Sequence, residues 1–260
     1  MNPKRRPLIA GNWKMHHGGV HGVELAMQCV EIAREVPRVD MVLAPPFTAI
    51  AAVAHECDGT GVRVAAQNMN AKTFGAYTGE VSPAMLRESG ATWVIIGHSE
   101  RRQLFGETDA SVAEKTKAAF AAGLLPIVCI GETRAEREGG KTIDVVKGQI
   151  EAFASILQEH ASVRAAIAYE PVWAIGTGKT AGPAEAEEVH AEIRSWLAAH
   201  SAELAEGTRI LYGGSVKGEN ATALLGCANV DGALVGGASL EAASFGAIAR
   251  AAQAIAALAT

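Results

Sequence analysis

The sequence predicts an α/β protein, and within that class a single (β/α)8 barrel domain over residues 1–260. Eight short apolar runs recur along the chain, and their starts lie about 32 positions apart on average, enough for one strand and one helix. The runs are continuous rather than alternating, which is typical of parallel strands covered on both faces. An open doubly wound sheet is the alternative, but the first run lacks a glycine-rich dinucleotide turn, which favours the barrel.

The predicted strands mark where chemistry is expected, because ligands of parallel sheets bind beyond the carboxyl ends of the strands. The eight strands are Leu8–Trp13, Met41–Ala44, Val62–Gln67, Thr92–Gly97, Leu125–Ile130, Arg164–Tyr169, Arg209–Tyr212 and Gly232–Val235.

The segments between these runs carry apolar stripes at helical spacing. The longer predicted helices are Val20–Val36, Thr48–Ala54, Asp109–Ala122, Thr142–His160, Pro183–His200 and Leu240–Ala257, with shorter ones at Ser82–Glu88 and Glu219–Leu225. Asp109 is expected to cap its helix, and Pro183 fits a first helical turn.

Composition excludes several classes of function. The formal net charge is −5 without a cluster of lysine and arginine, which argues against a nucleic-acid surface. The apolar run after Lys4, Arg5 and Arg6 is too short for a signal peptide, and no segment approaches the roughly 18 apolar residues of a membrane span. We therefore expect a cytoplasmic protein. The four cysteines are widely spaced without a CxxC pair, which favours reduced thiols over disulfides or a metal site.

Three charged or titratable residues follow predicted strands. Glu170 ends the sixth strand, and Pro171 after it favours an extended backbone. Lys14 follows the first strand, where its ammonium would meet an anionic substrate or a developing oxyanion. His98 follows Gly97, and Ser99 resembles a helix start whose positive end would disfavour protonation of the imidazole. Taken alone, each residue also fits a role without chemistry, as a surface glutamate, a solvated lysine or a structural histidine.

Paired glycines follow the last two strands, in Tyr212-Gly-Gly-Ser-Val216 and Val235-Gly-Gly-Ala-Ser-Leu240. Such turns leave backbone N–H groups accessible, and a helix beginning after them adds a positive dipole end. Barrels commonly hold phosphate after these two strands, so the pair favours a phosphate monoester as ligand.

Five segments closely resemble the triosephosphate isomerase family: Gly11-Asn-Trp-Lys-Met15, Ile96-Gly-His-Ser-Glu-Arg-Arg102, Ala168-Tyr-Glu-Pro-Val-Trp-Ala-Ile-Gly-Thr-Gly-Lys179, Tyr212-Gly-Gly-Ser-Val216 and Asp231-Gly-Ala-Leu-Val-Gly-Gly-Ala-Ser239. The resemblance spans nearly the whole chain. It implies interconversion of dihydroxyacetone phosphate and D-glyceraldehyde 3-phosphate, in glycolysis and gluconeogenesis, without a metal or organic cofactor. The base, the neutral histidine and the closing loop are established features of that family.

The resemblance also implies a role for each matching residue. Glu170 would be the base, His98 the proton shuttle, and Lys14 and Asn12 would stabilise the enediolate. Asn12 and Lys14 would also bind the substrate, and the phosphate contacts would be Gly176, Ser215, Gly236 and Gly237. The lid would comprise Pro171, Val172, Trp173, Ala174, Ile175, Gly176, Thr177, Gly178 and Lys179. Glu100, Cys129 and Tyr212 would be supporting residues, with packing as the expected role of Cys129.

The long polar loop from Gln67 to Val81 resembles the one by which a family subunit reaches into its neighbour's site. The expected partner is therefore a second copy of the chain, with Thr78 and Gly79 at the interface and Thr78 supporting Lys14 across it. An ordinary polar loop is the alternative.

Two other functions remain as alternatives. An aldolase-like barrel that forms a Schiff base would favour a lysine inside a strand, and none of the eight runs carries one. A non-catalytic phosphate-ligand barrel would not lose a function when Glu170 is replaced.

Overall fold

The structure is a computed structural model, and it describes residues 5–162, 165–174 and 181–258. Within these residues, parallel strands close into a barrel in sequence order, with the first strand paired to the last. The strands are β1 (Leu8–Asn12), β2 (Asp40–Ala44), β3 (Val62–Ala66), β4 (Trp93–Ile96), β5 (Leu125–Ile130), β6 (Ala166–Tyr169), β7 (Arg209–Tyr212) and β8 (Gly232–Val235). The predicted (β/α)8 barrel is confirmed; the predicted start of the sixth strand, Arg164, lies outside the described residues.

Helices connect the strands around the outside. They are α1 (Val20–Glu35), α2 (Ile50–Cys57), α3 (Pro83–Glu88), α4 (Ser99–Phe105), α5 (Asp109–Ala121), α6 (Arg134–Glu138), α7 (Thr142–Glu151), α8 (Ala154–Glu159), α9 (Pro183–His200), α10 (Ala202–Gly207), α11 (Gly218–Leu225) and α12 (Ala242–Leu258). Short 3-10 turns lie at Phe47–Ala49, Val172–Ala174 and Gly237–Leu240. Among the described residues, no helix is both long and apolar enough to cross a bilayer.

Two apolar layers explain why the strand sequences are continuously hydrophobic. Side chains that alternate along the strands, such as Leu8, Ala10 and Leu234, form one buried cluster. Their neighbours, such as Ile9 and Met41, join a second cluster with the helices. Both faces of the strands are therefore buried apart from charged positions such as Arg63, as in a filled barrel.

Two helix predictions were wrong. The predicted helix Thr142–His160 is interrupted at Ala152 and Phe153. The backbone leaves helical geometry at Phe153, with φ of −126° and ψ of 9°, and the Phe153 ring is fully buried. Burial of that ring overrides the helical pattern of the sequence. The cap of α5 is Thr108 rather than Asp109: Thr108 and Ser111 cap each other reciprocally, while the Asp109 carboxylate pairs with Arg102 at 2.6 Å. Pro183 begins α9 as predicted.

His190, on α9, is a fully buried histidine packed edge-on against Tyr169, with ring centroids 5.8 Å apart. Its Nδ1 donates to the Asn229 carbonyl at 3.3 Å. Burial lowers the pKa of His190 from 6.5 to about 3, while that hydrogen bond acts in the opposite direction. The ring is therefore neutral in the folded protein, and the unfolded chain binds a proton more readily.

We expect this difference to make the protein acid-sensitive. The stabilising effect of a neutral His190 is complete above pH 6.5 and is lost as the pH falls toward 3. Between pH 7 and pH 5 it removes about 2 kcal/mol from the free energy of unfolding. Urea titrations of the wild type and His190→Asn at both pH values measure this, because asparagine does not titrate there. Between pH 7 and pH 5, the free energy of unfolding should fall by about 2 kcal/mol more in the wild type than in His190→Asn. Equal falls in the two proteins would contradict the prediction.

Candidate active site

The carboxyl ends of the strands surround a cavity of about 720 Å³. It brings together most of the residues that the sequence identified: Asn12, Lys14, His98, Glu170, Ser215, Gly236 and Gly237. They lie at or just after the ends of β1, β4, β6, β7 and β8. Residues far apart in the chain converge because parallel strands end at one face of the barrel.

The main chain of Glu170 is held between the strands on either side. Its N–H donates to the Ile130 carbonyl at 2.7 Å, and Gly213 N–H donates to the Tyr169 carbonyl at the same distance. A Cβ at Gly131 would lie 1.8 Å from the Glu170 carbonyl oxygen, and one at Gly213 would lie 2.8 Å from Glu170 Cγ. Both positions thus need glycine for the end of β6 to reach its place.

The Glu170 carboxylate is buried and has a partner on each oxygen. Ser99 N–H donates to Oε2 at 2.8 Å, and His98 Nε2 lies 3.0 Å from Oε1. Both partners lie where α4 begins: His98 is its N-cap and Ser99 its first residue. The acid and the imidazole that the sequence placed on different strands therefore meet directly.

The hydrogen bonds of His98 define which ring nitrogen faces the cavity. His98 is the N-cap of α4, and its Nδ1 accepts a hydrogen bond from Glu100 N–H at 3.2 Å. Since Nδ1 is an acceptor, a neutral ring carries its proton on Nε2. The imidazole thus presents an N–H donor to the reaction space, at the helix start that the sequence predicted.

Lys14 has an unusual backbone conformation, with φ of 51° in the left-handed region. Asn12 Oδ1 accepts from Lys14 N–H at 3.0 Å, and Gln67 Nε2 donates to the Lys14 carbonyl at 2.8 Å. Its ammonium pairs with Glu100 and points toward Gly236, where an added Cβ would lie 3.9 Å from Nζ. A strained residue held by neighbours on both sides is typical of a functional position.

The comparisons with known proteins agree with this geometry. The family model described as triosephosphate isomerase matches residues 7–252. The chain belongs to the triosephosphate isomerase family. It is 53% identical over 247 residues to triosephosphate isomerase of Moorella thermoacetica, covering 94% of this chain and 98% of that protein. It is 51% identical to the enzyme of Herpetosiphon aurantiacus, covering 93% and 97%, and 50% identical to that of Acidithiobacillus ferrooxidans, covering 96% and 97%.

Within this triosephosphate isomerase barrel, Cys129 lies buried at the end of β5, next to Glu170. Burial, and then the Glu170 carboxylate, raises the pKa of the Cys129 thiol well above its usual range. The thiol stays neutral beneath the carboxylate, which suits the packing role expected from the sequence. Cys29, Cys57 and Cys227 are likewise free thiols.

Tyr212 supports the first glycine pair from below. It is fully buried at the end of β7, and burial raises the pKa of its hydroxyl to about 12. A Cβ at Gly214 would lie 2.3 Å from the Tyr212 oxygen, so this turn can pass over the tyrosine only as glycine. The cavity wall here also includes Val216, from the same glycine-pair segment, and Lys217, which the sequence did not single out.

Glu132 is a site-associated residue that sequence reasoning missed. It is fully buried, and its Oε1 accepts from Trp173 Nε1 at 2.9 Å and from the Tyr169 hydroxyl at 3.1 Å. Burial raises the pKa of Glu132, and these hydrogen bonds oppose the shift. Arg137 also lies over the Trp173 ring, 5.6 Å from its centroid. One signal was available in the sequence, because Glu132 is an acid that comes two residues after the end of β5.

Only part of the predicted lid lies within the described residues. Pro171 is buried, and Val172, Trp173 and Ala174 form the 3-10 turn, in which Trp173 is half-buried on Glu132. Ile175, Gly176, Thr177, Gly178 and Lys179 lie outside the described residues, as does the predicted phosphate contact of Gly176.

Proposed function

We propose that this cavity is the active site in which the chain interconverts dihydroxyacetone phosphate and D-glyceraldehyde 3-phosphate. The observation that carries the proposal is the contact between Glu170 Oε1 and His98 Nε2, 3.0 Å apart in a cavity that Lys14 also lines. A buried carboxylate, an N–H donor and an ammonium are the three groups that a proton transfer next to a carbonyl requires.

Glu170 is the base in this proposal. It takes a proton from the carbon that carries the hydroxyl, next to the carbonyl, and returns it to the neighbouring carbon. To do so, the carboxylate gives up its hydrogen bonds to Ser99 N–H and His98 Nε2 and contacts the substrate instead. When a substrate oxygen accepts the hydrogen bond from His98 Nε2–H, Glu170 Oε1 loses that bond and becomes free to take the proton. Substrate binding therefore activates the base.

The negative charge that appears when the proton leaves is stabilised by His98 and Lys14, with Asn12 in support. The carbonyl oxygen becomes an enediolate oxygen, which the Nε2–H of His98 and the ammonium of Lys14 stabilise. His98 then gives its proton to one oxygen and recovers one from the other. Asn12 holds Lys14 in place through its 3.0 Å hydrogen bond to the Lys14 N–H.

The phosphate group is proposed to bind at the glycine pairs after β7 and β8. Ser215, Gly236 and Gly237 line the same cavity, and α11 and the 3-10 turn Gly237–Leu240 begin beside it. Small residues allow the phosphate to approach the backbone N–H groups, and Lys14 adds a positive charge nearby.

We also propose that the active form is a homodimer. The loop through Thr78 and Gly79 is exposed in the single chain, and so are two large apolar side chains: Phe74, in the same loop, is 86% accessible, and Met15 is 93% accessible. Exposed apolar residues of this size mark interaction surfaces. Met15 directly follows Lys14, so a second copy docked here would cover the loop that carries the ammonium.

A charge at the proposed interface is expected to separate the subunits. Thr78→Arg should sediment near 26.9 kDa, the mass of one chain, whereas the wild type should sediment at twice that mass. Its kcat should fall by at least about tenfold, because Lys14 loses its support. Ala199→Arg, on the exposed side of α9, is the matched control and should keep both properties. A wild type that is monomeric and fully active would contradict the dimer.

A coupled assay of D-glyceraldehyde 3-phosphate conversion, run with and without a chelator, tests the function itself. We expect turnover in both. The aldolase-like alternative predicts instead a lysine adduct after borohydride treatment with substrate, and β1 to β8 contain no lysine that a strand interior would desolvate. Absence of turnover with intact folding would leave the phosphate-binding alternative.

A further inference from the structure

Gly97, the residue that precedes His98, has both of its backbone polar groups bound by charged side chains. Gly97 N–H donates to Glu107 Oε2 at 3.1 Å, and the Gly97 carbonyl accepts from Arg102 Nε at 2.8 Å. Both side chains are largely enclosed, at 3% and 16% exposure. Hydrogen bonds to charged groups are stronger than those between neutral groups, and burial strengthens them further.

Arg102 does more than hold one carbonyl. Its guanidinium also donates to the Cys129 carbonyl at 3.2 Å and pairs with Asp109 at 2.6 Å. Its three nitrogens thus contact three separate parts of the fold: the end of β4, the end of β5 and the start of α5. The planar, forked shape of arginine suits such bridging, which the single ammonium of lysine cannot reproduce.

The position of this bridge is significant, because it lies where the hydrogen-bond ladder between β4 and β5 stops. The last paired residues are Ile96 and Val128, so Gly97 and Cys129 lie opposite each other one step further on. There Gly97 turns away with φ of 72°. The guanidinium joins the two strand ends that the ladder no longer joins.

One of these strand ends leads into His98, and the other holds the main chain of Glu170. His98 is bonded to the Gly97 carbonyl carbon, so the plane that Arg102 fixes directs the His98 side chain. One residue after Cys129, the Ile130 carbonyl accepts from Glu170 N–H at 2.7 Å. Arg102 therefore links the residue before the histidine to the strand that holds the glutamate.

From this geometry we propose that Arg102 is a positioning residue for His98, which it places relative to Glu170 by joining the Gly97 and Cys129 carbonyls. The inference rests on the proposed function, in which His98 is the proton shuttle. Misplacing a reacting group by about 1 Å can reduce a rate about 10²-fold, so loss of the bridge is expected to reduce kcat without weakening substrate binding. A purely structural arginine would instead act through Asp109 and change stability alone.

A double-mutant cycle between Arg102→Gln and His98→Gln tests the proposal. Arg102→Gln should lower kcat by about 10- to 100-fold and leave KM within about threefold. In the His98→Gln background, the same change should lower kcat by less than about threefold, because the group that Arg102 positions is already gone. If the loss of kcat in the double variant is instead the product of the two single-variant losses, the proposal is overturned. A His98→Gln variant with full kcat would instead overturn the proposed role of His98.

Two further variants separate positioning from stability. Asp109→Asn removes the ion pair but leaves both carbonyl contacts, so it should lower the unfolding temperature while kcat stays within about twofold. Arg102→Lys, which keeps the charge, should fold even where glutamine is not tolerated, and it should lose kcat because one ammonium cannot span both carbonyls. Wild-type kcat in Arg102→Lys, or a loss in Asp109→Asn as large as that in Arg102→Gln, would overturn the proposal.

Discussion

In a Glu170→Gln variant, we expect kcat for D-glyceraldehyde 3-phosphate to fall about 10²- to 10⁴-fold, because glutamine keeps the shape of the side chain but cannot accept a proton. The fold should survive the change. The amide oxygen of glutamine can accept from Ser99 N–H or from His98 Nε2–H, but no longer from both. One donor loses its acceptor, which costs about 1 kcal/mol of unfolding free energy.

Glu219→Gln is the matched control, because Glu219 lines the same cavity at its exposed rim. It loses the same charge and should keep kcat within about threefold. Incubation of dihydroxyacetone phosphate in D₂O gives a second measurement. The wild type should incorporate deuterium at carbon, and Glu170→Gln should lose this exchange along with turnover. Exchange that continues at the wild-type rate would show that another group is the base.

The fold could be predicted from the sequence because its main signal is local. β5, β7 and β8 begin and end where the apolar runs predict, since a strand buried on both faces is built mainly from apolar residues. The break at Phe153 could not be predicted, because it depends on where the ring packs and not on the residues beside it. The cap at Thr108 was missed for a similar reason: Asp109 is an equally good cap by residue type, but Arg102 occupies its carboxylate.

The site was predictable to the extent that its residues directly follow strands. Glu170, His98 and Lys14 stand at strand ends, and the barrel topology brings them together. Their mutual contacts were not predictable. The 3.0 Å approach of His98 to Glu170 depends on the turn at Gly97 and on the glycines at 131 and 213, whose roles are steric and appear only in three dimensions. Glu132 also lies near a strand end, but its role depends on the contact with Trp173, which the sequence does not show.

In a Lys14→Met variant, we expect kcat/KM to fall about 10²- to 10³-fold, a loss typical of removing one group that stabilises an oxyanion. Methionine has a similar length, so it fills the space of the lysine stem and leaves the cavity without the ammonium. Lys14 is paired with Glu100 in the structure. Substrate therefore competes with Glu100 for the ammonium, and the negative charge of the enediolate competes better than a neutral carbonyl does. On this basis we expect both a lower kcat and a higher KM.

Lys217→Met provides the comparison that decides between a local and a general electrostatic effect. Lys217 lines the same cavity but is exposed, and it caps α11 through its backbone and not its side chain. Both variants remove one positive charge from the cavity wall. If Lys14 acts only by attracting an anion, the two losses should be similar and should shrink together as salt rises. If it acts on the enediolate, the loss in kcat/KM should be at least about 30-fold larger in Lys14→Met than in Lys217→Met. The Lys14→Met loss should also persist in 0.5 M salt, where charges about 10 Å apart are screened.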